Sequence, residues 1–139
     1  MVYRQRRLSV PADTPQDDPA TEEFNLPAGQ IRLVTVEYPL GCNGMVYFQL
    51  MQSNNPIVPD EPLTGIVGND VTLQLPIVYD LEVGKTTLTL RGWSPDATKT
   101  HNLNIGVAIL TKLEQSREEE YLKDTTAYLK GIAAMLGVK

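Results

Sequence analysis

Gln30-Ile31-Arg32-Leu33-Val34-Thr35-Val36-Glu37-Tyr38 runs into Pro39-Leu40-Gly41-Cys42-Asn43-Gly44 and on into Met45-Val46-Tyr47-Phe48-Gln49-Leu50-Met51. Residues 30–38 read as a strand rich in β-branched side chains. Ile31, Leu33 and Thr35 share one face with Glu37, while Val34, Val36 and Tyr38 share the other. Apolar groups on both faces mark a central strand. Asn43-Gly44 accepts positive φ at both residues and is a strong hairpin signal, so residues 45–51 are expected to form a second buried strand.

Working outward, the same period of two recurs. Residues 2–10 form a strand of mixed polarity with Val2, Leu8 and Val10 on one face. Residues 11–20 carry three prolines and read as a surface excursion. Residues 23–26 alternate and lead into a turn at Pro27-Ala28-Gly29. Beyond Met51, residues 53–62 hold three prolines and read as a loop, and 63–67 as a short apolar strand or edge piece. After a turn at 68–70, Val71, Leu73 and Leu75 share a face until Pro76 stops or bends the strand, and 79–83 read as irregular. Residues 85–93 alternate Thr86, Leu88 and Leu90 against Thr87, Thr89 and Arg91. Ser94-Pro95-Asp96 turns, and Leu103, Ile105, Val107 and Ile109 point inward in a strand over 101–111. Seven or eight short strands separated by turn signals predict a mainly β chain, an antiparallel β-sandwich that is jelly-roll-like. No internal sequence repeat stands out.

The chain changes character after Lys112. Ser116 followed by Glu119 has the spacing of a capping box, and Glu118, Glu119 and Glu120 complement a helix N-terminus. Tyr121, Leu122, Thr125, Tyr128, Leu129, Ile132 and Leu136 follow at three- and four-residue spacing. An amphipathic C-terminal α-helix over 116–136 is expected, giving a sandwich over 1–112 and a helical tail over 113–139. An apolar stripe on a helix that follows a completed sandwich needs a surface to cover it, either its own sandwich or a neighbouring subunit, and the apolar end of the chain tilts the expectation towards a partner.

Composition bounds the function. A chain of 139 residues with a hydrophobic fraction of 42 % suits one globular domain. A net charge of −5 disfavours bulk electrostatic binding to nucleic acid. Near the start, Arg4 and Arg6 share one strand face and Arg7 takes the other. They read either as a contact for an acidic partner or as edge-strand charges that block aggregation. A lone Cys42 allows no internal disulfide, and no apolar run is long enough to span a membrane. The Met-Val-Tyr-Arg-Gln-Arg-Arg start lacks the apolar stretch of a signal peptide, so cytoplasmic synthesis is expected.

Chemistry-bearing residues are sparse. His101 is the one histidine, and Ser94, Asp96 and Thr98 near it carry no nucleophile-elbow pattern. It reads as a surface or edge histidine. Cys42 reads as a small core residue. One Cys and one His cannot build a zinc site, and Asp60, Glu61, Asp70, Asp80, Glu82 and Asp96 match no calcium-loop spacing. Trp93 reads as a plug at the end of the sandwich or as a ligand-stacking residue. No catalytic residue, cofactor or metal site is expected.

Leu26-Pro27-Ala28-Gly29, then Tyr38-Pro39-Leu40-Gly41-Cys42-Asn43-Gly44-Met45-Val46, and later Leu90-Arg91-Gly92-Trp93 with His101-Asn102-Leu103-Asn104-Ile105, resemble a pattern in small β-sandwich virion structural proteins of tailed bacteriophages. The likeness covers most of 1–111. Leu40 stands where the pattern has a second proline, and the charged helix after residue 112 has no counterpart in it. The resemblance implies a capsid decoration (cement) protein or a head–tail component, located in the virion after synthesis in the host cytoplasm. It implies other virion proteins (major capsid or head–tail proteins) as partners, homo-oligomers, and no membrane or specific nucleic acid. A neck or tail adaptor and a carbohydrate-binding sandwich are the alternatives.

Overall fold

The computed structural model describes residues 1–135. Eight strands precede one helix: β1 Val2–Val10, β2 Ala20–Asn25, β3 Gly29–Tyr38, β4 Tyr47–Gln52, β5 Asn55–Val58, β6 Val71–Leu81, β7 Thr87–Trp93, β8 His101–Thr111 and α1 Lys112–Met135. They form two four-stranded antiparallel sheets, ordered β1-β8-β3-β6 and β2-β7-β4-β5. Every connection but β4–β5 crosses from one sheet to the other, so the chain wraps around its own core in the expected antiparallel sandwich with jelly-roll-like connectivity.

The core lies between the sheets. Ile31, Val34, Val36 and Tyr38 of β3 and Leu103, Ile105, Val107 and Ile109 of β8 meet Phe48 and Leu50 of β4 and Leu88 and Leu90 of β7, all essentially sealed from water. Each such side chain contributes about 1.5–3 kcal/mol by burial. The inward set on β8 is the expected one. On β3 it is not: Ile31 joins Val34, Val36 and Tyr38 inside, while Leu33 is only half-buried. The pairing shifts between Ile31 and Leu33, where β3 has one residue more than β8. A bulge inserts one residue and reverses the alternation beyond it, so a strict period of two misplaces Ile31.

Three further expectations are corrected. Asn43 and Gly44 do take positive φ, 50° and 71°, and Met45 N–H donates to the Cys42 carbonyl at 2.8 Å, closing the turn. The turn does not make a hairpin, because β3 and β4 belong to different sheets. The β-hairpin lies instead in the proline-rich 53–62 segment, where Gln52 pairs with Asn55 and Leu50 with Val58. Pro76 does not end its strand: β6 runs through it to Leu81, tolerated because β6 is a sheet edge.

The loop after β1 is stitched down. Thr14 bridges to Ser94, Asp13 N–H donates to the Ala97 carbonyl at 3.1 Å, and the Ser94 hydroxyl donates to the Pro11 carbonyl at 2.8 Å. At the same end of the chain trace, the Asn69 side-chain oxygen accepts from Gly41 N–H at 2.9 Å and Asn43 N–H at 3.1 Å, fixing the turn that holds Cys42 and Val46 in the core.

The closest backbone approach lies where β3 begins. A Cβ on Gly29 would stand 2.4 Å from the Leu110 carbonyl oxygen, and neither strand backbone has room to yield. Gly29→Ala is expected to destabilise the fold by roughly 2 kcal/mol or more, measured as a lowered urea midpoint. An unchanged midpoint would show that the β3–β8 spacing is not fixed by this glycine.

Candidate interaction surface

The helix grows directly from the last residue of β8. Thr111 caps it: its hydroxyl accepts from Glu114 N–H at 3.4 Å and donates to the Glu114 carboxylate at 3.0 Å. The helix therefore begins at Lys112, not at Ser116. Ser116 is an exposed residue inside it, and Glu118, Glu119 and Glu120 lie beyond the first turn, where Glu114 is the acid. The N-terminal ammonium of Met1 pairs with Glu114. That hydrogen bond, opposed by a smaller desolvation effect and assisted by Thr111, holds the Glu114 carboxyl below the usual carboxylate range.

Among the described residues, contacts with the sandwich stop after two turns. Gln115 donates to the Leu110 carbonyl at 3.0 Å, and Arg32, the residue at the β3 bulge, pairs with Glu118 at 3.3 Å. At about 100° per residue, Glu114 and Glu118 point in the same direction as Tyr121, Thr125, Tyr128 and Ile132. The face that touches the body at the helix base thus continues outward as the apolar stripe. The body does not follow it. Tyr121 is 70 % exposed, Leu122 56 %, Tyr128 70 % and Leu129 60 %. Thr125 is half-buried and its hydroxyl donates to the Tyr121 carbonyl at 2.9 Å; Ile132 is half-buried. Leu136 lies outside the described residues. A helix of 24 residues spans about 36 Å, and most of that length is free of the sandwich.

The arginines near the start do not form one patch. β1 is an edge strand, and Arg4 and Arg6 lie on the face shared by Leu8 and Val10, with Arg7 on the other. Arg6 pairs with Glu22 of β2. Arg4 and Arg6 line one side of an open groove of about 680 Å³ between β1 and β2, opposite Glu22 and Phe24.

His101 opens β8 and lines a recess of about 320 Å³ with Leu40, Gly41, Asn43, Met45, Thr98 and Lys99. No carboxylate lines that recess, and the buried His101 Nδ1 has no hydrogen-bond partner. Cys42 is fully buried, and desolvation pushes its thiol pKa up. Burial first, and Cys42 second, push up the neighbouring Tyr38 hydroxyl, which donates to the Ile66 carbonyl. Among the described residues, no cluster of three His, Cys, Asp or Glu side chains is placed to hold a metal.

Trp93 is 3 % exposed. It stacks on Tyr47 at 5.7 Å between ring centres and carries the Arg91 guanidinium 5.4 Å above it. It does not plug the sandwich end. It sits on the outer face of its sheet, sealed by the segment around Gly65, where a Cβ would come within 2.8 Å of the indole. Gln49, also buried on that face, donates to the Glu61 carbonyl at 2.9 Å and anchors the same covering segment. Sequence periodicity marks these residues as outward-facing; the long-range cover has no local signal.

No family model and no curated protein matches this chain. Solved structures similar to it include a chain of the cyanophage Pam1 capsid asymmetric unit (14 % identity, 76 % of this chain and 81 % of that one, TM-score 0.47). The SPBc2 prophage-derived protein YomS is similar at 13 % identity, over 77 % and 95 %, with a TM-score of 0.41. Hydroxypropylphosphonic acid epoxidase from S. wedmorenis is similar at 13 % identity and a TM-score of 0.38, and this chain spans 43 % of its length. At these scores the likenesses decide nothing about function.

Two outcomes follow from the geometry. Thr111→Ala should destabilise the helix base by about 1 kcal/mol, whereas Ser116→Ala should leave helicity equal or higher; thermal melts followed by circular dichroism separate them, and a larger loss at Ser116 would move the cap. Trp93→Ala should cost roughly 3–5 kcal/mol, and the native indole should resist quenching by acrylamide. Ready quenching would mean the Gly65 segment does not seal it.

Proposed function

We propose that this chain is a non-enzymatic structural component of a phage particle, a capsid decoration (cement) protein whose projecting helix is a surface of assembly. The observation that carries the reading is the stripe of Tyr121, Leu122, Tyr128 and Leu129, held away from the sandwich with more than half of each side chain in water. Most helical stability in proteins comes from packing of an apolar face and not from propensity, and this face gains stability when another protein covers it. The sandwich supplies a rigid mount, and the bulge residue Arg32 ties the helix base to it. The phage assignment draws on the resemblance of Tyr38–Val46 and the strands around it to small virion sandwiches, not on the distant fold likenesses. The buried Trp93 speaks against a sugar-stacking platform.

The test is incorporation into particles. Phage particles purified from cells making this chain should contain it in proportion to the capsid subunits. Leu129→Glu, at an exposed position, should leave the sandwich melting within about 0.5 kcal/mol of the parent and be missing from the particles. A few copies per particle would place the chain in the neck or tail. Absence of the parent chain from purified particles would overturn the reading.

A further inference from the structure

We propose that the helix stripe is covered by the same helix of a second copy of this chain, laid antiparallel. This rests on the reading of the stripe as an interface, and it names the partner.

The pattern on the helix is a heptad. Tyr121-Leu122-Lys123 recurs as Tyr128-Leu129-Lys130, and each set is followed by an alanine, Ala127 and Ala134. Leu122, Thr125, Leu129 and Ile132 then alternate at spacings of three and four, the seam that packs against another helix. A strand-scale reading passes over this repeat because it is only two units long. The cover is a helix of like pattern, and a second copy supplies one.

Charge sets the direction. From Lys112 to Asp124 the helix holds five acids, Glu114, Glu118, Glu119, Glu120 and Asp124, against Lys112, Arg117 and Lys123. From Thr125 onward the chain has Lys130 and Lys139 and no acid. Parallel copies would stack acid on acid. Antiparallel copies set the acidic half of one along the basic half of the other and also oppose the two helix dipoles. With Leu122 of one copy against Leu129 of the other, Lys130 lies alongside Glu119.

The body gives the same answer. Arg32 and Met1 reach Glu118 and Glu114 on the stripe face of the first two turns. Two copies in parallel would have to place both sandwiches in that one space. Antiparallel copies keep the sandwiches at opposite ends, and the stripe from Tyr121 to Ile132 remains open to pair. Covering the four exposed large side chains on both copies removes roughly 1,000 Å² from water, the lower bound for a specific interface.

The experiment combines sedimentation equilibrium of the whole chain with single-cysteine cross-linking; the fully buried Cys42 is out of reach in the folded protein. A dimer is expected. Thr125→Cys, next to the two-fold axis, should form a disulfide-linked dimer on oxidation, and Ile132→Cys should not. Lys130→Glu should weaken the dimer severalfold, and adding Glu119→Lys should restore it. Self-cross-linking of Ile132→Cys, or no rescue by the double charge reversal, overturns the antiparallel pair. A chain that stays monomeric yet enters particles overturns the second copy as partner and leaves the proposed function standing. A monomer that is also absent from particles removes both.

Discussion

One extra residue in β3 holds the sandwich and its helix in register. The bulge at Arg32 lets Ile31 and Val34, three positions apart, both enter the core, because the alternation reverses between them. Without it, either Ile31 or the whole run of Val34, Val36 and Tyr38 would face outward, and β3 is the strand that pairs with both β8 and β6. The same bulge releases the Arg32 side chain to the outside, where it meets Glu118 on the helix. The local distortion that completes the core therefore also places a cation against the helix base.

The repeating pattern of polar and apolar residues made most strands readable, since each sheet buries one face. Leu8 and Val10, Leu88 and Leu90, and the inward set on β8 all sit where a period of two places them. What failed was decided by partners far along the chain. Pro56 and Pro76 are strand-breaking signals locally, yet both lie in edge strands, where proline is tolerated. Asn43-Gly44 dictated a tight turn but not which sheet receives the next strand. Ser116–Glu119 and Thr111–Glu114 share one capping spacing. Only the continuation of β8 to Thr111, set by its pairing with Gly29, selects the second. The stripe on the helix was legible from its spacing; how far the sandwich reaches along it was not, because that depends on where the sandwich ends.

The surface of the sandwich is guarded. Its four edge strands each carry something that resists a further strand: arginines on β1, Glu22 and Glu23 on β2, Pro56 on β5, and Pro76 on β6. Its large outward aromatic, Trp93, is sealed by the Gly65 segment, and Tyr3 lies across Gly106 with its hydroxyl bonded to Thr35. The edge strands are thereby guarded against edge-to-edge pairing.

That leaves the helix, and its energetics argue for a cover. Past Glu118 it is held by its own backbone hydrogen bonds and by Thr125 and Thr126 hydroxyls bonding back to Tyr121 and Leu122, which are neutral-to-unfavourable in a helix interior. Gly131 weakens it further, by about 1 kcal/mol relative to alanine. These weak points fall in the half of the helix that carries large apolar side chains on one face, where packing adds most to its order. The sandwich itself supplies little of that packing beyond the first two turns.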